Sequence, residues 1–510
     1  MTDRPSYRAM LDDFERRRGI AQAMGGPDKL ARLRAAGRLD ARSRLALLFD
    51  AGSFTEVGEF AYSGDDPAAT PADGKIAGYG LIEGRQAAAV VNDFGVKGAS
   101  STIVNGRKIA HLKRVAAQRR MPLVFLGESS GARIPETMGA VGMGASGSDP
   151  QQYVRLRESP WASAVLGPCF GSSTWYACLS DFRVFRRGAL LAVSSAQLVQ
   201  QATGDRVDAG ALGGWQLHAE VTGLADRVVD SDEEALAAVK SFLSYLPGHC
   251  DERPPQRPVP AGSGEDMPRI LDLLPESRTQ VYDMKRLIRA IADRDSVFEL
   301  KAAFGKTGIT ALARIAGRSV GVIATNPLIK GGALDAAACQ KISSFIVLCD
   351  SFNIPLINLV DVPGFGIGLD AEQRAIPARI MNYMTALQLA TVPKITVFIR
   401  KVYGQAYLNL GGGRNSDEVA AWPSAEVGFM APAAGVTVVH GLKPGDDGYA
   451  QRVAELERET SPWTMAAHFS VQHVIRPQDT RDFLIRMLDV HAGPQAPVGA
   501  HHLRSWPCYL

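Results

Sequence analysis

Cysteine is scarce in this chain and never clustered. The 510 residues hold six, Cys169, Cys178, Cys250, Cys339, Cys349 and Cys508, and no two stand as C-x-x-C. That spacing excludes a zinc ribbon, and a chain of this size needs no disulfide framework to build a core. Residues 1–168 hold no cysteine at all. Long apolar runs are also missing, and none approaches the ~20 residues that a membrane helix needs. Neither sign of charge dominates: 56 Lys and Arg face 53 Asp and Glu, interspersed, for a net +3. Such a balance gives no global electrostatic case for nucleic acid or a membrane surface. The opening MTDRPSYRAMLDDFERRR mixes acids with bases and lacks an apolar core segment, so it reads as neither a signal nor a transit peptide. A reducing, cytoplasmic setting is the expectation. No G-x-S-x-G elbow and no H-E-x-x-H occurs, and the nine histidines all fall outside the glycine turns described next.

Glycine, at 51 residues, is where the information lies. KVYGQAYLNLGGGRNSDEV, residues 401–419, is glycine-dense yet holds no phosphate-loop motif, and the apolar run KITVFI leads into it. It has a twin in AVLGPCFGSSTWYACLSDF, residues 164–182. The two belong to a repeat of constant offset. Gly84-Arg85 recurs as Gly317-Arg318, Lys97-Gly98 as Lys330-Gly331, and Lys108-Ile109 as Lys341-Ile342. Pro122-Leu123 recurs as Pro355-Leu356, Gly131 as Gly364, Pro160 as Pro393 and Gly171 as Gly404, all at one offset (404 − 171 = 233). One ungapped register, with glycine on glycine after apolar runs, predicts a duplicated domain.

Residues 6–50 read as amphipathic helices broken at GGP. From about residue 74 the order becomes strand, hairpin turn at Glu83-Gly84, strand, helix, strand, which is α/β. The Pro- and Gly-rich stretch 246–268 reads as a connection between halves. The expected organisation is an N-terminal domain over 1–250, a linker over 251–269 and a C-terminal domain over 270–510.

Glycine turns that end buried strands can do specific chemistry. The first N–H groups of a helix lack intrahelical partners and carry partial positive charge. Glycine permits positive φ and close approach of a ligand. Two such N–H groups aimed at one oxygen form an oxyanion hole, whose natural ligand here is the enolate of a thioester. Among the carboxylates, Asp181 and Asp361 read as structural caps, and Glu128 reads equally as a general base or a turn stabiliser. Cys169 reads as an inert buried thiol. Oxyanion holes without an obvious base suggest that a cofactor or substrate supplies it.

GESSGARIPE, LGPCFGS, NPLIKGGALD, QKISSFIVLCDSFNIPLINLVDVPGF, ATVPKITVFIRKVYGQAY and AAWPSAEVGFMAPAAG occur in that order. Together they resemble the carboxyltransferase (β) subunits of biotin-dependent acyl-CoA carboxylases, of the propionyl-CoA carboxylase β and methylmalonyl-CoA decarboxylase α type. The resemblance runs from about residue 25 to 490. It implies two homologous crotonase-like domains, each a superhelix of ββα units, and a hexamer whose sites form between the N-domain of one chain and the C-domain of another. It implies acyl-CoA on the N-domain, and on the C-domain carboxybiotin carried by a partner biotin carboxylase or biotin carboxyl carrier subunit. By motif, Lys97, Gly98, Gly131, Ala132 and Arg133 would line the CoA site, and Gly171 and Ser172 would offer N–H groups to the enolate. Gly331, Gly364, Phe365 and Gly404 would take biotin, with the N–H groups of Gly404, Gln405 and Ala406 on its ureido oxygen. Biotin would act as the base, no metal would be needed, and no biotin would be attached to this chain, since Met284-Lys285 lacks the A-M-K-M context.

The chain departs from the family in an ordered way. The turns usually written G-P-C-A-G-G and K-A-Y-G-G-A-Y carry Ser172 and Gln405 at their second glycine, and 405 − 172 is again 233. Phe170 replaces a small residue, and apolar Leu408 disfavours a charged acyl tail. Carboxyl transfer to an acyl-CoA is the leading expectation. A CoA-ester decarboxylase or transcarboxylase on the same scaffold, or a non-catalytic CoA-binding subunit, are the alternatives.

Overall fold

The computed structural model describes residues 6–146, 149, 154–277, 280–494, 496–499 and 501–507. Cys508 lies outside them. Contacts divide the chain into two compact units, Met1–Ser244 and Tyr245–Cys508.

The first unit opens on three helices, Tyr7–Gln22, Pro27–Ala35 and Ala41–Leu48. The break between the first two falls at GGP as read, with Gly26 at φ 85° and Pro27 at the first helical position. The sheet then begins with β1 (Lys75–Ile82) and β2 (Arg85–Asn92), an antiparallel hairpin. Its turn is Glu83-Gly84, at φ 49° and 75°, the positive values a two-residue hairpin loop demands. Helix α1 (Ile103–Gln118) follows, started by a capping box between Thr102 and Asn105. It crosses to β3 (Leu123–Ser130), parallel to β2, and β4 (Trp161–Phe170) pairs parallel to β3. Helix α2 (Ser172–Leu179) leaves β4 immediately. These strands are buried on both faces, which is why they read as continuous apolar runs instead of alternating.

The second unit repeats this residue for residue. Its hairpin is β5 (Gly308–Ile315) and β6 (Arg318–Thr325), its crossover helix α3 (Ala336–Ser351), and its parallel strands β7 (Leu356–Val362) and β8 (Lys394–Tyr403). β5, β6, α3, β7 and β8 each begin at the repeat offset from their counterparts, as in 394 − 161 = 233. Even the buried lysines match. Lys108 Nζ donates to the carbonyl of Lys75 at 2.6 Å, and Lys341 Nζ to that of Gly308 at 2.9 Å, the first residue of the hairpin in each unit. The register breaks only past the glycine turns. The helix after β8, α4 (Ala406–Asn409), has four residues against eight in α2. Each unit completes an eight-stranded sheet.

The stretch 246–268 is irregular up to a 3₁₀ turn at Met267–Leu273, but it is part of the second unit and not a free tether. Arg257 N donates to Gly317 O at 3.0 Å, and Met267 and Ile270 sit in the core beneath β5 and β6. Proline-rich backbone cannot join a ladder, yet it can be pinned one hydrogen bond at a time.

Candidate active site

Three segments of the first unit converge at the carboxyl ends of β3 and β4. Gly98 sits in a 3₁₀ turn, Lys97–Ala99, all three residues of which have positive φ. A Cβ on Gly98 would lie 2.7 Å from Ser130 Oγ. Gly131 follows β3 at φ 93°, and Gly171 follows β4 at φ 63°. The two touch: a Cβ on Gly171 would lie 3.0 Å from Gly131 Cα. The loops are stitched by main chain, Ser101 N donating to Gly131 O at 2.8 Å and Arg133 N to Ser101 O at 2.9 Å.

The same stitch occurs at the equivalent positions of the second unit. Leu334 N donates to Gly364 O at 3.1 Å, and Gly366 N to Leu334 O at 2.8 Å. Gly331, Gly364 and Gly404 have φ of 65°, 130° and 65°. The structure thus brings Gly98, Gly131, Ala132, Gly171 and Ser172 together in one unit, and Gly331, Gly364, Phe365, Gly404, Gln405 and Ala406 in the other. Among the described residues the N–H groups of Gly171, Ser172, Gln405 and Ala406 have no protein acceptor. Gly404 differs from the expectation. Its N–H donates to Gly428 O at 3.0 Å, Gly428 being the last residue of the short strand Glu426–Gly428 that pairs with β8. Gly404 contributes its conformation and its lack of a side chain, and no donor to a ligand.

The charged residues near these turns are structural. Glu128 is 1% exposed and paired with Arg38 and, at 2.9 Å, with Arg44. Asp361, its equivalent (361 − 128 = 233), is 0% exposed and paired with Arg400 and Lys401, both at 2.9 Å. Carboxylates held this way anchor strand ends and are poor general bases, which settles the two readings of Glu128. Asp181 accepts from Arg155, from Arg157 at 3.2 Å and from Trp161 N at 2.9 Å. Burial pushes the Cys169 thiol up to about 12, so it is no nucleophile at neutral pH. Burial likewise pulls nearby Lys75 down to about 8, its Nζ donating to Asn92 Oδ1 at 3.0 Å and Ala99 O at 3.1 Å.

Arg133 is not a surface arginine. It is buried, and its guanidinium donates to Asp73 Oδ1 at 2.8 Å and Ser100 Oγ at 3.0 Å, tying the Gly131 turn to the segment before β1. Asp73 was not singled out from the sequence, and no local signal marks it. Ser101 was missed as well. Its Oγ lies 2.6 Å from Ser172 Oγ. Here a signal did exist, since the repeat puts Leu334 at the equivalent place (334 − 101 = 233), a polar residue against an apolar one.

Two glycine turn sets on duplicated ββα units, each with N–H groups that have no protein acceptor among the described residues, make a geometry suited to holding an oxyanion. The carboxyl transferase domain family matches residues 32–498, and the chain belongs to it. It is a carboxyltransferase in the class of the acyl-CoA carboxylases, and its fold is the family's duplicated crotonase-like one. The α subunit of methylmalonyl-CoA decarboxylase from Veillonella parvula is 34% identical, covering 92% of both chains. The propionyl-CoA carboxylase β chain of Roseobacter denitrificans is 33% identical over 94% of this chain and 95% of that one. The transcarboxylase 12S subunit, whose crystal structure describes a hexamer with methylmalonyl-coenzyme A and methylmalonic acid bound, superposes with a TM-score of 0.89 at 32% identity. That match covers 98% of this chain and 99% of that one. Among the described residues no helix is long and apolar enough to cross a membrane.

Proposed function

We propose that this chain is the cytoplasmic carboxyltransferase subunit of a biotin-dependent acyl-CoA carboxylase. In this reading the first unit holds the acyl-CoA and the second holds biotin carried by a partner subunit. The observation that carries the reading is the pair of glycine turn sets at equivalent positions of the repeat, each with free N–H donors.

Charge supports this assignment of the sides. Lys97 is exposed and has no carboxylate partner among the described residues, so its ammonium is available to the phosphates of CoA. Its equivalent, Lys330, lies 3.9 Å from Asp335. Gly98, Gly131 and Ala132 let the CoA arm pass close to backbone, and Arg133 braces their turn. The N–H groups of Gly171 and Ser172 take the charge that develops on the thioester oxygen when the α proton leaves.

The second turn set fits a flat ureido ring. A Cβ on Gly404 would meet only Phe429 O, at 3.5 Å, one on Gly364 only Tyr403 O, at 4.0 Å, and one on Gly331 nothing within 4 Å. The N–H groups of Gln405 and Ala406 would hold the ureido oxygen, and Gly331 and Phe365 would border the ring. Bound carboxybiotin supplies the carboxyl group and, once it has given that up, the base. Ser172 and Gln405 keep the N–H groups of the glycines they replace, so both holes persist. The relatives make propionyl-CoA and its methylmalonyl-CoA product the first acyl pair to try, which suits apolar Leu408.

Purified alone, the chain is expected to run as a hexamer by light scattering and to fix no bicarbonate with ATP on any short acyl-CoA. It should nonetheless convert methylmalonyl-CoA to propionyl-CoA in the presence of free biotin. Failure of that conversion across a panel of carboxylated acyl-CoAs would sink the assignment.

Gln405 is exposed, and its amide has no protein partner among the described residues. Gln405→Gly is expected to weaken biotin use by roughly 1–2 kcal/mol, the cost of one neutral hydrogen bond, or about a 5–30-fold rise in the KM for free biotin. An unchanged KM would make the side chain a filler.

A further inference from the structure

We propose that Ser101 and Ser172 form a hydroxyl pair that adds a third donor, an O–H, to the thioester-side oxyanion hole. Ser172 would be the catalytic residue that touches the oxygen, and Ser101 the positioning residue that sets its rotamer. The inference deepens the reading above and rests on it for the acyl-CoA side.

Each serine hydroxyl has one O–H and two lone pairs. Ser101 Oγ and Ser172 Oγ are 2.6 Å apart, at the short end of the O–H···O range, so one O–H is consumed within the pair. The other O–H remains. Three neighbouring hydroxyls of this turn set spend their protons on carbonyls: Ser100 on Lys97 O at 2.8 Å, Ser129 on Ala99 O at 3.2 Å, and Thr174 on Gly171 O at 2.6 Å. Gly171 O also accepts Thr174 N at 3.0 Å, which fills the carbonyl nearest to Ser172. Among the described residues neither Ser101 nor Ser172 has a further side-chain partner. The pair therefore holds one spare donor at a half-buried place directly after Gly171.

Both hydroxyls are mounted rigidly. Ser101 is clamped by its own main chain to Gly131 O and Arg133 N, at 2.8 and 2.9 Å. Ser172 opens α2 behind Gly171, whose φ of 63° and ψ of −135° fix where the helix starts. A hydroxyl that accepts one hydrogen bond becomes a stronger donor of the next. A preorganised donor beside two N–H groups adds most where negative charge grows. The second unit has no such pair, since Leu334 and Gln405 stand at the equivalent positions and Leu334 is buried. The device therefore belongs to the thioester side alone. It also accounts for the serine: Ser172 adds a donor where a glycine would leave only its N–H.

The test uses the full-length chain with methylmalonyl-CoA and free biotin. Ser172→Ala and Ser101→Ala are each expected to lower kcat by about tenfold, with the KM for the CoA ester within about twofold and the melting temperature unchanged. The double variant should fall little below either single one, because the two act as a unit. Ser101→Thr, which keeps the hydroxyl, should restore the rate. Independent or absent effects on kcat, or equal failure of Ser101→Thr, overturn the pair. A second readout needs no turnover: calorimetric binding of a CoA thioether bearing an anionic nitronate in place of the enolate. Ser172→Ala should weaken the nitronate about tenfold and leave the neutral thioether unchanged. If the parent binds the nitronate but never turns over with biotin, the reading of the reaction fails while the pair is still judged by this affinity ratio. A parent that binds neither overturns both.

Discussion

Gly171→Val is expected to lower turnover by ~10²–10³, the loss seen when one oxyanion-hole donor is removed, equivalent to about 3–4 kcal/mol of transition-state stabilisation. Two independent strains act on the new side chain. The residue must hold φ at 63°, a region that β-branched residues avoid. Its Cβ would also lie 3.0 Å from Gly131 Cα, a backbone atom of the facing turn that cannot rotate away. The strain is relieved only by moving the N–H groups of residues 171 and 172 or by pushing the Gly131 loop outward. Either movement misaims the donors, and geometry is what gives a hole its worth. Gly404 is an internal control. It has φ 65°, but a Cβ there would meet only Phe429 O at 3.5 Å. Gly404→Ala should therefore suffer the conformational cost without the collision. The measurement is kcat for methylmalonyl-CoA with free biotin, beside melting curves showing that the variants fold. A Gly171→Val enzyme within fivefold of its parent would remove Gly171 from the hole.

Much of this arrangement was legible in the sequence because duplication converts isolated residues into a register. Gly84, Gly98, Gly131 and Gly171 each had a glycine partner at one shared offset, and in the structure β5 begins at that offset from β1, and β8 from β4. Positive φ made those glycines visible, since few other residues sit there comfortably. Two kinds of feature stayed hidden. One is the partnership of side chains distant in sequence: nothing local says that Arg133 meets Asp73, or that Ser101 meets Ser172. The other is how a carboxylate is held. Glu128 read equally as base or brace until Arg38 and Arg44 were seen to close on it, one from the loop before the third helix and one from within it. The end of the repeat was hidden too. The N–H of Gly404 is spent on Gly428 where the equivalent N–H of Gly171 is not, although the two ladders pair the same three positions of each strand.

Arg133→Ala is expected to destabilise the first unit by about 3–5 kcal/mol, the cost of leaving a buried charge without its partner. A residue that only lined the CoA site would, on substitution, weaken binding without unfolding. Burial changes the order of effects. Asp73 is fully buried and Arg133 is 8% exposed, with the guanidinium 2.8 Å from the carboxylate. Asp73 also accepts from the Thr102 hydroxyl and, at 3.2 Å, from Asn105 N, so the same carboxylate secures the start of α1. It further holds φ at 47°, a conformation that the surroundings must enforce. Losing Arg133 leaves that carboxylate without its ion pair and frees the turn of Gly131 and Ala132. For a unit of this size, ~2–4 °C per kcal/mol puts the fall in Tm at roughly 6–20 °C. Arg133→Lys should recover part of it, since lysine restores the charge but not the forked contact to Asp73 and Ser100. Asp73→Asn combined with Arg133→Met should be milder than Arg133→Ala, because no charge is then stranded. CoA affinity, measured by calorimetry well below the melting temperature, then reports the binding role by itself. A Tm within about 2 °C of the parent for Arg133→Ala would mean that the pair does not hold the turn.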